Sequence, residues 1–64
     1  MSVFFEAHAG EAIWNYAERL IAAAAEEGDV VIGIFNDIQV QAYPDSTVRE
    51  IQYLFEARRA LRFS

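Results

Sequence analysis

The sequence contains no cysteine, no lysine, one histidine, one proline and three glycines. Each shortage closes off a class of chemistry. Without cysteine there is neither a disulfide nor a thiolate metal site, and His8 alone cannot supply the nitrogen and sulfur ligands that structural zinc requires. Without lysine there is no Schiff-base nucleophile and no phosphate-loop lysine. Gly10, Gly28 and Gly33 stand apart from one another, so no loop presents the successive backbone amides that wrap a phosphate. Long apolar runs are missing too: Leu20 to Ala25 and Val30 to Phe35 are far too short to span a bilayer, and no basic leader precedes an apolar segment. These features predict a soluble, cytoplasmic chain with no membrane association and no cofactor.

What is present is a high apolar content, 55% hydrophobic and 14% aromatic, which excludes a disordered composition. A chain of 64 residues has room for one domain, 1–64. It buries only ~60% of the surface its unfolded form exposes, and with disulfides and zinc set aside, self-association is the remaining source of added stability.

The formal charge of −5 is divided unevenly. Residues 1–45 carry a net −7 and residues 46–64 a net +2. An acidic chain repels the phosphate backbone, so direct nucleic-acid binding is not expected.

Apolar residues Ile13, Trp14, Ala17, Leu20, Ile21, Ala24 and Ala25 recur at helical spacing and predict an amphipathic helix from about Gly10 to Glu27, ended by Gly28. Asp29 to Phe35 reads as a strand. Asn36 and Asp37 tolerate positive φ, and Ile38 to Tyr43 alternates, which together make a hairpin. A two-residue loop pairs Phe35 with Ile38, Gly33 with Val40 and Val31 with Ala42 on one face, and Ile34–Gln39, Ile32–Gln41 and Val30–Tyr43 on the other. Pro44-Asp45-Ser46 turns into a second helix ending near Arg62, where Thr47 and Glu50 have capping-box spacing and Val48, Ile51, Leu54, Phe55 and Leu61 form the apolar arc. Val3-Phe4-Phe5-Glu6 is either a short strand or an apolar arm. The expected fold class is α+β, helix–β-hairpin–helix (αββα) with a possible N-terminal strand.

Val31-x-Gly33-x-Phe35-Asn36-Asp37-Ile38, followed by Pro44 and a Thr47-capped helix, resembles small uncharacterised helix–hairpin–helix proteins of bacteriophages and prophages. The resemblance spans about residues 10–60 in layout and this short motif in detail, with Asp37 replacing the glycine common at such hairpin tips. It implies a mobile-element origin and a counter-defence or host-takeover role exerted by binding. It carries over no catalytic residue.

Within the chain, His8 lies near Glu6 and Glu11 but has no second ligand or nucleophile at recognisable spacing, so no catalytic residue is expected. Trp14, with Phe4, Phe5, Tyr16 and Tyr43, suits core packing or an aromatic pocket. Arg58 falls inside the apolar arc of the second helix. It either overhangs the core, reaching water or an acidic side chain, or joins Arg59 and Arg62 in a site for a small anionic ligand such as a nucleotide. The hairpin face bearing Val30, Ile32, Ile34 and Tyr43 is expected to be the interface of a homo-oligomer. The function these features favour is a non-enzymatic interaction protein that binds itself and a host protein, inhibiting or adapting the latter. The alternative is an anion-sequestering binder.

Overall fold

The computed structural model describes residues 4–63, with side chains described for residues 6–61. The elements run β1 (Phe4–Glu6), α1 (Ile13–Glu27), β2 (Val31–Phe35), β3 (Ile38–Ala42) and α2 (Val48–Phe63). The fold is α+β. A three-stranded sheet in the order β1-β2-β3 carries both helices on one face.

The hairpin forms because its loop chemistry and its apolar pattern agree. Asn36 and Asp37 adopt φ of 50° and 65°, the positive values that a two-residue primed turn demands and that these residue types tolerate. The register is Phe35↔Ile38, Ile34↔Gln39, Gly33↔Val40, Ile32↔Gln41 and Val31↔Ala42, as the alternation requires. Val30 and Tyr43 lie just beyond the strand ends. The segment Phe4–Glu6 is a strand and not a loose arm. It pairs parallel to β2, Phe4↔Ile32 through Glu6↔Ile34, so that α1 is the crossover of a β-α-β unit. Val3, the start of the alternative arm, lies outside the described residues.

Gly28 ends α1 in the left-handed conformation, φ 70°, and its N–H donates to the Ala24 carbonyl at 2.8 Å. At the other junction Ser46 N–H donates to the Tyr43 carbonyl at 3.0 Å and the Ser46 hydroxyl accepts from Tyr43 N–H at 2.9 Å, closing a turn around Pro44. The capping box of α2 is reciprocal: Thr47 N–H donates to Glu50 at 3.0 Å and Glu50 N–H to the Thr47 hydroxyl at 3.2 Å.

The core lies between sheet and helices. Val31, Phe35, Ile38, Val40 and Ala42 meet Tyr16, Ala17, Leu20 and Ala24 of α1 and Ile51 and Phe55 of α2. Phe35 is its hub, 5.3 Å in ring-centroid distance from Tyr16 and 5.3 Å from Phe55, the latter edge to face. Three sequence expectations change here. Trp14 and Ala25 are exposed, while Tyr16 is fully buried, because the face of α1 that meets the hairpin is rotated toward Tyr16. Leu61 is exposed because the end of α2 runs past the sheet that Ile51 and Phe55 cover. The first helix begins at Ile13, not Gly10, since Gly10 (φ 77°) belongs to the β1–α1 loop.

Candidate functional site

With both helices on one face of the sheet, its other face has no covering layer among the described residues. That face carries Ile32, Ile34, Gln39 and Gln41, flanked by Val30 and Tyr43. Ile34 is 41% exposed and Tyr43 50% exposed, with Val30 and Ile32 half-buried. Of the four residues proposed from sequence as an interface, Ile32 and Ile34 share this face, while Val30 and Tyr43 lie just beyond the strand ends and Tyr43 also borders α2. Strands β2 and β3 contribute no charge to it; the nearest charged strand residue is Glu6, in register with Ile34 at the β1 margin.

Two of the three candidate arginines have described side-chain partners. Arg58 meets neither an acidic side chain nor open water alone: its guanidinium donates to the main-chain carbonyl of Gln39 at 2.8 Å, joining α2 to the rim of β3. Arg59 makes an exposed ion pair with Glu56 at 3.8 Å, one turn away. The Arg62 side chain lies outside the described residues. Arg58 thus uses one donor of its fork and leaves the others available.

A second polar centre was not legible in the sequence. Glu11 sits in the β1–α1 loop with its side chain only 3% exposed, and three donors converge on its carboxylate. His8 N–H donates at 2.9 Å, the Asn15 amide at 2.6 Å and the Arg19 guanidinium at 2.5 Å. Burial alone raises the carboxyl pKa, but the His8 amide, the Arg19 charge and hydrogen bond and the Asn15 amide outweigh it and hold it below its ordinary value. The spacing Glu11–Asn15–Arg19, four residues apart on one helical stripe, is the signal that could have found it. His8 therefore serves through its backbone, and its imidazole is exposed.

This loop and the tip of β2 frame a depression lined by Glu6, His8, Glu11, Asn36 and Asp37, at the carboxyl ends of two parallel strands, where open α/β sheets commonly bind ligands. Its carboxylates disfavour anionic ligands, and no group of three or more His, Asp or Glu among the described residues is placed to hold a metal ion. Among the described side chains the aromatic pocket weighed from sequence does not assemble: Trp14 is exposed on α1, Tyr16 is sealed in the core and Tyr43 is exposed beyond the end of β3, while the side chains of Phe4 and Phe5 lie outside the described residues. No helix among the described residues is long and apolar enough to cross a membrane.

No protein-family model, no curated protein and no solved structure matches the chain. Functional inference therefore rests on its own surfaces.

A third surface borders the free rim of β3. A shallow apolar groove runs between this rim and α2, walled by Tyr43, Ile51, Tyr53 and Leu54, with Gln41 on the strand side. Tyr53 is 76% exposed. Sequence analysis placed no role on Tyr53, because a lone tyrosine on a polar helix face carries no periodic signal.

Proposed function

We propose that this protein is a non-enzymatic, self-associating interaction protein of mobile-element type, which acts by binding a host protein and inhibiting or adapting it. The observation that supports this reading is the uncovered outer face of the sheet, where Ile32 and Ile34 share one side of β2 and Ile34 is exposed. Contiguous apolar surface of this kind on a small domain marks an association site. In a chain of net charge −5, strands without charge are also where two copies approach with least repulsion. A two-fold contact satisfies the face with its own kind.

Binding is favoured over catalysis because the reactive groups have structural employment. The hydroxyls of Ser46 and Thr47 accept hydrogen bonds from main-chain amides, and the Glu11 carboxylate is saturated by three donors. The anion-sequestering alternative has less support, since Arg59 already faces Glu56 and the donors of Arg58 left over from Gln39 make a single cationic contact, not a cluster.

Sedimentation equilibrium tests the proposal. The wild-type chain should be oligomeric at ~50 μM, a concentration at which even a weak dimer is populated. Ile34→Glu, which puts a charge at the centre of the outer face, should yield monomers, whereas Gln52→Glu on α2 should not. A well-folded wild-type monomer at that concentration refutes the self-association.

A further inference from the structure

The hairpin leaves one long sheet rim open. In a two-residue hairpin closed by the pair Phe35–Ile38, hydrogen-bonded pairs recur at every second residue, so Ile38, Val40 and Ala42 bond to β2 while Gln39 and Gln41 direct their N–H and C=O groups away from it. The bond from Arg58 to the Gln39 carbonyl bears this out, because that carbonyl is reached from outside the sheet. Among the described residues no further strand follows β3 in the sheet. The opposite rim, β1, is only three residues long, and short rims pair poorly. Strand β3 itself has no proline or charged residue to discourage pairing.

Beside this rim runs the apolar groove formed by Tyr43, Ile51, Tyr53 and Leu54. Ile51, Leu54 and Arg58 follow one stripe of α2, so the Arg58 guanidinium at Gln39 lies about one turn beyond the Leu54 end of the groove. Neither Arg58 nor Arg49 has a carboxylate partner among the described residues. The segment 46–64 that supplies both is the positive part of an otherwise acidic chain. An open rim, an apolar groove and a positive end are the three parts of a strand-addition site.

We propose that β3 and α2 together bind an extended peptide segment of a protein partner, which adds antiparallel to β3 and ends in a carboxylate at Arg58. The inference rests on reading the chain as an interaction protein and names the partner's chemistry. Antiparallel addition fixes the polarity, because the peptide's C-terminal side then lies at Gln39 and its N-terminal side at Tyr43. One peptide residue exchanges both main-chain bonds with Gln41. The residues before and after it turn toward the helix side of the sheet, so apolar side chains there reach the groove beside Ile51 and Leu54. The following residue reaches Gln39, where the unused donors of Arg58 hold its carboxylate while the first stays on the Gln39 carbonyl. A second copy of this chain fits the rim less well, since a two-fold about β3 places two positively charged α2 helices side by side.

The test is fluorescence anisotropy with a dye-labelled Ser-Val-Thr-Val-Asp peptide bearing a free C-terminus, compared with its amidated Ser-Val-Thr-Val-Asn counterpart, on the full chain. Wild type should bind the first saturably below about 1 mM and the second roughly tenfold or more weakly, as loss of a charge-assisted contact requires. Arg58→Met should weaken the acidic peptide by a similar factor and erase the difference between the two peptides. Gln41→Pro, which removes an outward N–H at a position where an edge strand tolerates proline, should abolish binding. Tyr53→Glu, at an exposed site that spares folding, should do so even where Gln41→Pro fails to fold. Absence of saturable wild-type binding, or equal binding of both peptides, overturns the proposal. Sedimentation of the same samples separates the two readings: an oligomer that ignores the peptide refutes only the docking site, and a monomer that binds it refutes only self-association.

Discussion

Tyr16 should make this protein sensitive to alkali in a way that one oxygen atom controls. Its ring is fully buried against Phe35, and its hydroxyl is hydrogen-bonded with the Ile34 backbone. Burial pushes its pKa up from 10.0 to about 12, only partly offset by that bond and by the charge of Arg19. A phenol whose folded pKa exceeds its unfolded value contributes stability that is complete below about pH 10 and is lost as the pH rises toward about 12. Two pKa units correspond to roughly 2–3 kcal/mol. For a chain of 64 residues, total stability is on the order of 3–10 kcal/mol, so the loss is a large share of it. Tyr16→Phe keeps the ring and removes the titration. At neutral pH it should cost about 1 kcal/mol for the missing hydrogen bond. The two stability curves should therefore cross between about pH 10 and about pH 12. Urea unfolding followed by far-ultraviolet circular dichroism across this range measures both. The two chains differ only at this oxygen, so other contributions cancel, and the sequence has no lysine or cysteine. Curves that fall in parallel, with no crossing, would refute the reasoning.

Glu11→Gln should lower stability at neutral pH by weakening the anchor of the β1–α1 loop. Because the folded carboxyl lies below its ordinary 4.5, its contribution is present above that value and lost as pH falls through the lowered one; urea melts of mutant and wild type should differ at neutral pH and approach each other as the solution is acidified below 4.5. Asp37→Gly places the residue without a Cβ at φ 65° and should raise the thermal midpoint by a few degrees, equivalent to roughly 0.5–1 kcal/mol; an unchanged or lower melt would show that the turn is unstrained. Leu20→Ala, at a fully buried position, should cost about 2–5 kcal/mol, comparable with the whole stability of the domain, and give a chain largely unfolded by circular dichroism at 37 °C (~body temperature).

The sequence by itself determined what depends on neighbours along the chain. The turn at Asn36-Asp37, the hairpin register, the Gly28 stop and the Thr47–Glu50 capping box are each decided within a few residues, where positive φ, side-chain alternation and local hydrogen bonds leave few alternatives. The shared face of Ile32 and Ile34 follows from the same alternation. Tertiary structure decided what depends on partners distant in sequence. Helical periodicity defines an apolar arc but not its rotation against the sheet, which is why Tyr16 and not Trp14 fills the core. Three residues, Phe4–Glu6, have too short a pattern to announce a strand, and only β2 beside them makes them one. Arg58 and the Gln39 carbonyl are nineteen positions apart, and their bond exists because the capped α2 runs back along β3. The groove at the β3 rim has the same origin: its strand wall and its helix wall become one surface only when the turn at Pro44 folds the second helix over the first face of the sheet.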